Sequence, residues 1–170
     1  MSQIASRANK IRYRKTANDI FITPLELAKK HIDMIDVREG ELWLDPCKNN
    51  GSYYNQFPEN VDKDYCEILE DKDFFSYEGE PDVIIQNPPY SILNDWFQKN
   101  IDLNPRVVSM LIGIHNLTLK RWRMMEKAGY GITKFRLLKV KEWFGLSLLI
   151  VFEKGKKNII EYDDITYKSK

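Results

Sequence analysis

Cysteine is scarce in this chain. Cys47 and Cys66 are its two cysteines in 170 residues, too few and too ordinary in context for a disulfide framework or a zinc site. Reduced, buried thiols are the expectation, with no metal site. An excess of either charge is also missing: 26 Lys and Arg against 25 Asp and Glu leave a net charge of +1. Nothing in that balance pulls the whole chain toward a polyanion, so any such binding must rest on local patches. No apolar run approaches a membrane span, and the N-terminus lacks the apolar core of a signal peptide. A cytoplasmic protein without a membrane partner is therefore expected by default. Repeats and low-complexity segments do not stand out. What is present is ordinary soluble composition, 43% hydrophobic and 30% charged, at a length that suits one domain with a real core.

Three stretches divide the chain. Residues 1–19 are polar and basic, with Arg7, Lys10, Arg12, Arg14 and Lys15 clustered; they read as a flexible arm that is either solvated or contacts phosphates. Residues 20–155 hold the periodic segments, and 156–170 form a polar tail, read as a loose end. Within the middle stretch, Thr23-Pro24-Leu25-Glu26 predicts a helix start, with Thr23 as cap, Pro24 in the first turn and Glu26 completing a capping box. Leu27, Ala28, His31, Ile32 and Ile35 follow at helical spacing; His31 reads as a partly covered helix residue. Strands are expected at 41–44, 64–68, 81–86 and 107–114, and helices at 91–100 and 117–128. A closing hairpin spans 131–141 and 146–153 around Trp143-Phe144-Gly145. Strands alternating with helices argue for a mostly parallel α/β sheet, with one antiparallel strand at or near its edge.

The sharpest feature is Asn87-Pro88-Pro89-Tyr90, directly after the apolar run Val83 to Gln86. Two prolines cannot continue a central strand, and they hold the preceding residue extended. The result is a stiff turn at a strand's carboxyl end, where open α/β sheets place their ligands. An amide on one side and an aromatic ring on the other make a cradle for a flat ring bearing an amino group. A second strand end carries Asp45-Pro46 and a turn with Asn49 and Gly51, residues that tolerate positive φ. A third carries Glu67. Carboxylates at neighbouring strand ends can accept ribose hydroxyls or attract a cationic ligand.

In this order, Asp45-Pro46 through Tyr53, Glu67, Asp73-Phe74-Phe75 and Asn87-Pro88-Pro89-Tyr90 resemble the motifs of class I S-adenosylmethionine-dependent amino-methyltransferases. The nearest resemblance is to DNA N6-adenine methyltransferases of γ-type motif order, over roughly residues 18–153. In length, and around Gly145-Leu146-Ser147, the chain is similar to small phage or viral enzymes of this kind, for which the location would be the host cytoplasm. The resemblance implies a Rossmann-like sheet with helices on both faces and a C-terminal β-hairpin. The interval from Glu67 to Asp73 leaves no room for the usual helix, so the sheet is expected to be trimmed between its second and third strands.

The resemblance also implies roles. Asp45, Pro46, Asn49 and Gly51 would line the methionine side of S-adenosyl-L-methionine, with Phe21 and Thr23 closing over it. Glu67 would hold the ribose, and Asp73 and Phe74 the adenine ring of the cofactor. Asn87 and the Pro88 carbonyl would accept hydrogen bonds from the target amine, with Pro89 stiffening the turn and Tyr90 stacking on a flipped base. Asn49 replaces the family's usual first loop glycine, and no segment is long enough for a separate target-recognition domain. Any sequence choice would then come from loops, from the basic arm, or from another subunit, either a specificity subunit or the second copy of a homodimer. An inactive methyltransferase-fold partner subunit, or an enzyme acting on RNA adenine or protein glutamine, stay open as alternatives.

Overall fold

Short apolar runs bounded by breaks become the sheet. The computed structural model describes residues 21–141 and 143–163; the arm carrying Arg7, Lys10, Arg12, Arg14 and Lys15 lies outside them. Among the described residues one six-stranded sheet runs in the order β2-β1-β3-β4-β6-β5. β1 (Leu42–Asp45), β2 (Asp62–Tyr65), β3 (Val83–Gln86) and β4 (Val107–Gly113) are parallel. β6 (Ser147–Lys154) is antiparallel to both β4 and β5 (Tyr130–Leu138), so the antiparallel strand sits one place in from the edge. All positions of β3 and β4 are buried, as strands covered on both faces must be.

Alternation along these strands sorts the core into two layers. Val83 and Ile85 join Ala28 and Ile32 of helix α1 (Leu25–Ile32) on one face. On the other, Ile84 meets Trp96 of helix α2 (Leu93–Leu103), while Val108, Met110 and Ile112 meet α2 and helix α3 (Leu119–Lys127). The α3 helix stops at Gly129, whose φ of +86° suits a residue without Cβ. At the amino end of β1, buried Glu41 takes a two-pronged salt bridge from Arg106, with Nε–Oε1 2.7 Å and Nη2–Oε2 2.8 Å.

The trimming expected between the second and third strands is present. From β2 to β3 the chain makes two single 3-10 turns, Ile68–Glu70 and Phe74–Ser76, in place of a helix. From β1 to β2 a third such turn, Tyr54–Gln56, does the same. The second strand itself starts and stops earlier than its apolar residues suggested. Cys66 still donates to the Asp45 carbonyl, but Glu67 turns back to bridge with Lys72.

Three expectations need correcting. Thr23 does not cap α1: Pro24 holds the cap position without a side-chain hydrogen bond, and the Thr23 hydroxyl points to Asn87. The capping box fails with it, because Glu26 pairs instead with Lys30 at 3.0 Å. His31 is fully buried, not partly covered. Its Nδ1 lies 2.9 Å from the Tyr53 hydroxyl and its Nε2 2.7 Å from Ser109 Oγ. Ser109 gives its proton to the Ile150 carbonyl, so Nε2 carries the hydrogen and Nδ1 accepts from Tyr53. Burial drives the imidazole down to about 3 and keeps it neutral. Finally, the segment after β6 is not a loose end as far as Asp163. Asn158 accepts from the Ile132 N–H, Tyr162 donates to Glu126, and Tyr162 packs on Trp122.

Candidate active site

β1 lies between β2 and β3, and the chain order reverses across the β1–β3 pair. A doubly wound sheet opens a crevice at the carboxyl ends of such strands. Asp45 ends β1 and Asn87 follows β3, so the two strongest sequence motifs flank one crevice.

Asn87 is held by its amide nitrogen. Nδ2 donates to the Phe21 carbonyl and to Thr23 Oγ1, both at 3.2 Å. A carbonyl can only accept, so the nitrogen must face Phe21 and the oxygen must face away. Asn87 Oδ1 has no partner among the described residues. The Asn87 carbonyl accepts from Cys47 Sγ at 3.2 Å, and burial pushes that thiol well above its ordinary range, so it remains a donor. Behind the turn, Gln86 is fully buried: its Nε2 donates to Asn100 Oδ1 at 2.9 Å, and its Oε1 accepts from Trp96 Nε1. β3 is thereby bolted to α2 one residue before Asn87. Sequence reasoning missed this brace; a glutamine ending an otherwise apolar strand was its only sign.

The loop after β1 is a tight return. Asn49 has φ +49° and Gly51 φ +82°. Left-handed asparagine is tolerated, whereas a Cβ at Gly51 would sit 2.6 Å from Asn55 Nδ2. Ser52 Oγ, 2.7 Å from the Thr23 carbonyl, draws the segment before α1 onto this loop. Asp45 is 1% exposed, and its Oδ2 is buried without a partner. Burial raises its carboxyl to about 7, against the opposing pull of backbone N–H groups of Cys47 and Tyr54. Glu67 accepts from the Asn49 N–H at 2.7 Å and the Leu69 N–H at 3.0 Å. One bond per oxygen leaves each with a further lone pair for a ligand.

Asp73 and Phe74 part company. Asp73 caps its 3-10 turn through the Phe75 N–H at 3.1 Å. Phe74 is 2% exposed, with its ring centroid 4.7 Å from that of Trp96, so its side chain belongs to the core and does not line the crevice. Pro46 and Pro88 are buried beneath the two loops.

An aromatic rim closes the other side. Phe21 lies 6.2 Å from Tyr90 and 5.6 Å from Trp143, centroid to centroid. The β5–β6 loop is pinned by Ile114 N–H to the Leu146 carbonyl at 3.0 Å and by Lys139 Nζ to the Trp143 and Gly145 carbonyls. That loop presents Phe144 at 91% exposure. Trp143 and Phe144 were legible only as hairpin residues; the contact of Trp143 with Phe21, and of Phe144 with His115, depends on β6 pairing with β4.

No protein-family model matches the sequence, and no curated protein matches it. Solved structures do. TrmN from Thermus thermophilus superposes with a TM-score of 0.54 at 18% identity, over 76% of this chain and 48% of that one. This chain thus spans about half the length of that protein. The tRNA m1G37 methyltransferase of M. jannaschii gives 0.57 at 13% identity, over 82% and 52%. The E. cuniculi Mtq2–Trm112 complex, responsible for methylation of the eRF1 translation termination factor, gives 0.59 at 15%, over 81% and 99%. At these identities the likeness is one of fold, and the fold is that of the class I methyltransferases.

Proposed function

We propose that this chain transfers a methyl group from S-adenosyl-L-methionine to the exocyclic N6 amine of adenine in DNA. The observation that carries the reading is the fixed amide of Asn87, whose nitrogen is spent on Phe21 and Thr23 and whose oxygen is turned outward as an acceptor. An adenine amine is a poor nucleophile because its lone pair is delocalised into the ring. Asn87 Oδ1 and the Pro88 carbonyl accept its two N–H bonds, favour pyramidalisation and leave the lone pair facing the donor. Alignment and electrostatic preorganisation then supply the rate, and the methylated nitrogen sheds a proton to solvent.

The residues present suit the cofactor. Asp45 Oδ2, buried and unpartnered, is placed to accept from an ammonium group, and Asn49 and Gly51 let the loop approach closely. Glu67 retains lone pairs for two ribose hydroxyls, and Asp73 keeps lone pairs that can accept from the adenine amine. The bound cofactor supplies an electrophilic methyl on a sulfonium. Tyr90, with Phe21 against it and Trp143 beyond Phe21, offers stacking surface to a base drawn out of a duplex.

RNA is the second reading, favoured by the fold likeness to a tRNA methyltransferase. The Mtq2–Trm112 likeness similarly favours a partner subunit. Incubation with labelled cofactor and separate DNA, RNA and protein pools tests these. Label in DNA, lost on Asn87→Ala, is the expected result. Label confined to RNA or protein moves the substrate, and no cofactor binding at millimolar concentration leaves only the inactive-subunit reading.

A further inference from the structure

Beside the aromatic rim lies a groove of about 670 Å³ that the proposed chemistry does not use. One wall is α1 and the residue before it; the other is the end of β5 and the strand beside it. Its floor is apolar, from Leu27, Leu138 and Leu149, and its lining carries four cations, Lys30, Arg136, Lys139 and Lys141, against the single carboxylate of Glu26. The chain as a whole has near parity, 26 cations to 25 anions, so this is a local departure. Glu26 is already paired with Lys30. Lys139 is held by carbonyl oxygens, which leave its charge unneutralised. Arg136 is exposed, with no ion-pair partner among the described residues.

Position ties the groove to the crevice. Pro24 lines it and directly follows Thr23, which touches Asn87. Lys139 and Lys141 line its far wall, and the chain runs on from them into Trp143, whose ring meets Phe21. A strand leaving the crevice therefore enters a channel with an apolar floor and cationic walls. Single-stranded nucleic acid is held without sequence readout by a cationic groove that tracks its backbone together with aromatic rings that stack its bases; the groove supplies the first, and Phe21, Tyr90 and Trp143 at its entry supply the second.

We propose that this groove seats the DNA strand next to the flipped target base, which rests on the methyltransferase reading above for the identity of the strand. The groove then supplies affinity through phosphates. Equilibrium binding tests it independently of catalysis. A fluorescein-labelled single-stranded DNA oligonucleotide is titrated with wild type and with the Arg136→Glu/Lys141→Glu variant across a range of salt. The variant should bind about tenfold or more weakly, and its log–log salt slope should flatten by about 1.4 for two lost single-strand phosphate contacts. Melting temperature and cofactor affinity should be unchanged, which shows that the variant folds. Equal affinity and slope in the two proteins overturns the proposal, as does wild type that binds RNA through these residues but not DNA. Strand binding that needs Arg136 and Lys141, without methyl transfer, would sink the catalytic reading and leave the groove standing.

Discussion

Two buried carboxylates stand four residues apart at opposite ends of one strand, and the fold treats them oppositely. Glu41, at the amino end of β1, is 7% exposed, and both of its oxygens are taken by the Arg106 guanidinium. Burial pushes its carboxyl up, but the guanidinium outweighs that and holds it below the ordinary range. Asp45, at the carboxyl end, has no comparable ion pair among the described residues, and the pull of Lys48 on it is the smallest of its influences. One oxygen is left bare, and burial carries the group up to about 7. Desolvation acts on both; the difference is whether the chain supplies the compensating charge. At the amino end it does, and the pair is structural. At the carboxyl end no such compensation is supplied, and the proposed function assigns it to the cofactor's ammonium group.

The contrast can be broken from either end. The largest effect is expected from Arg106→Ala, which leaves Glu41 with only its longer contacts to Arg38 and Trp43 and should cost about 3 kcal/mol in urea unfolding. Replacing both partners by apolar residues should recover most of that loss; if it does not, the pair holds more than itself. Asn87→Ala should reduce methyl transfer by about 10²–10³-fold, the scale for losing one preorganised hydrogen-bonding group, while cofactor affinity stays within a few-fold. Transfer at near wild-type rate would remove Asn87 from the chemistry.

Asp45→Asn addresses the unmatched carboxylate by pH. The folded carboxyl is raised from 3.8 to about 7, so between those values the folded state binds more protons and wild-type stability falls as pH rises. His31 runs the other way. Lowered from 6.5 to about 3, it contributes stability present above its unfolded value and lost as pH falls. The two slopes oppose each other in wild type. The informative quantity is the wild type minus Asp45→Asn difference, which should decline across pH 4 to 7 by at most about 1.4 kcal/mol per unit. Saturating cofactor should erase that slope in wild type; a flat difference without cofactor would mean the carboxylate is not destabilising. The smallest effect belongs to Phe144→Ala. Its ring is 91% exposed, so stability should not move, whereas single-strand affinity should drop roughly tenfold if a base stacks there.

Much of this was legible in the sequence, and the reasons are local. Val83–Gln86 and Val107–Gly113 announced themselves as apolar runs with sharp ends, and Asn87-Pro88-Pro89-Tyr90 fixes its own turn because proline restricts its neighbours. The missing helix before β3 followed from simple spacing between Glu67 and Asp73. Illegible features were those made by residues distant in sequence. Thr23 was read as a cap because its neighbours form a capping pattern, yet Asn87, 64 residues on, claims its hydroxyl. His31 looked half-covered until Ser109, 78 residues away, closed over it. Phe74 fits a cofactor motif by order, but Trp96 draws it into the core. Asp45 stands out in the sequence as a carboxylate at a strand end, while its bare oxygen depends on how deeply the sheet buries it.

The strands also differ in length. β1, β2 and β3 have four residues each, whereas β4, β5 and β6 have seven, nine and eight. Long paired ladders resist local opening better than a short, exposed edge strand. Amide hydrogens of β4–β6 should therefore exchange near the global rate of unfolding, and those of edge strand β2 much sooner. Asp45 and Glu67 follow the short strands β1 and β2. A ligand binding there should slow exchange chiefly in β1 and β2, giving a residue-by-residue record of its arrival before any turnover is measured.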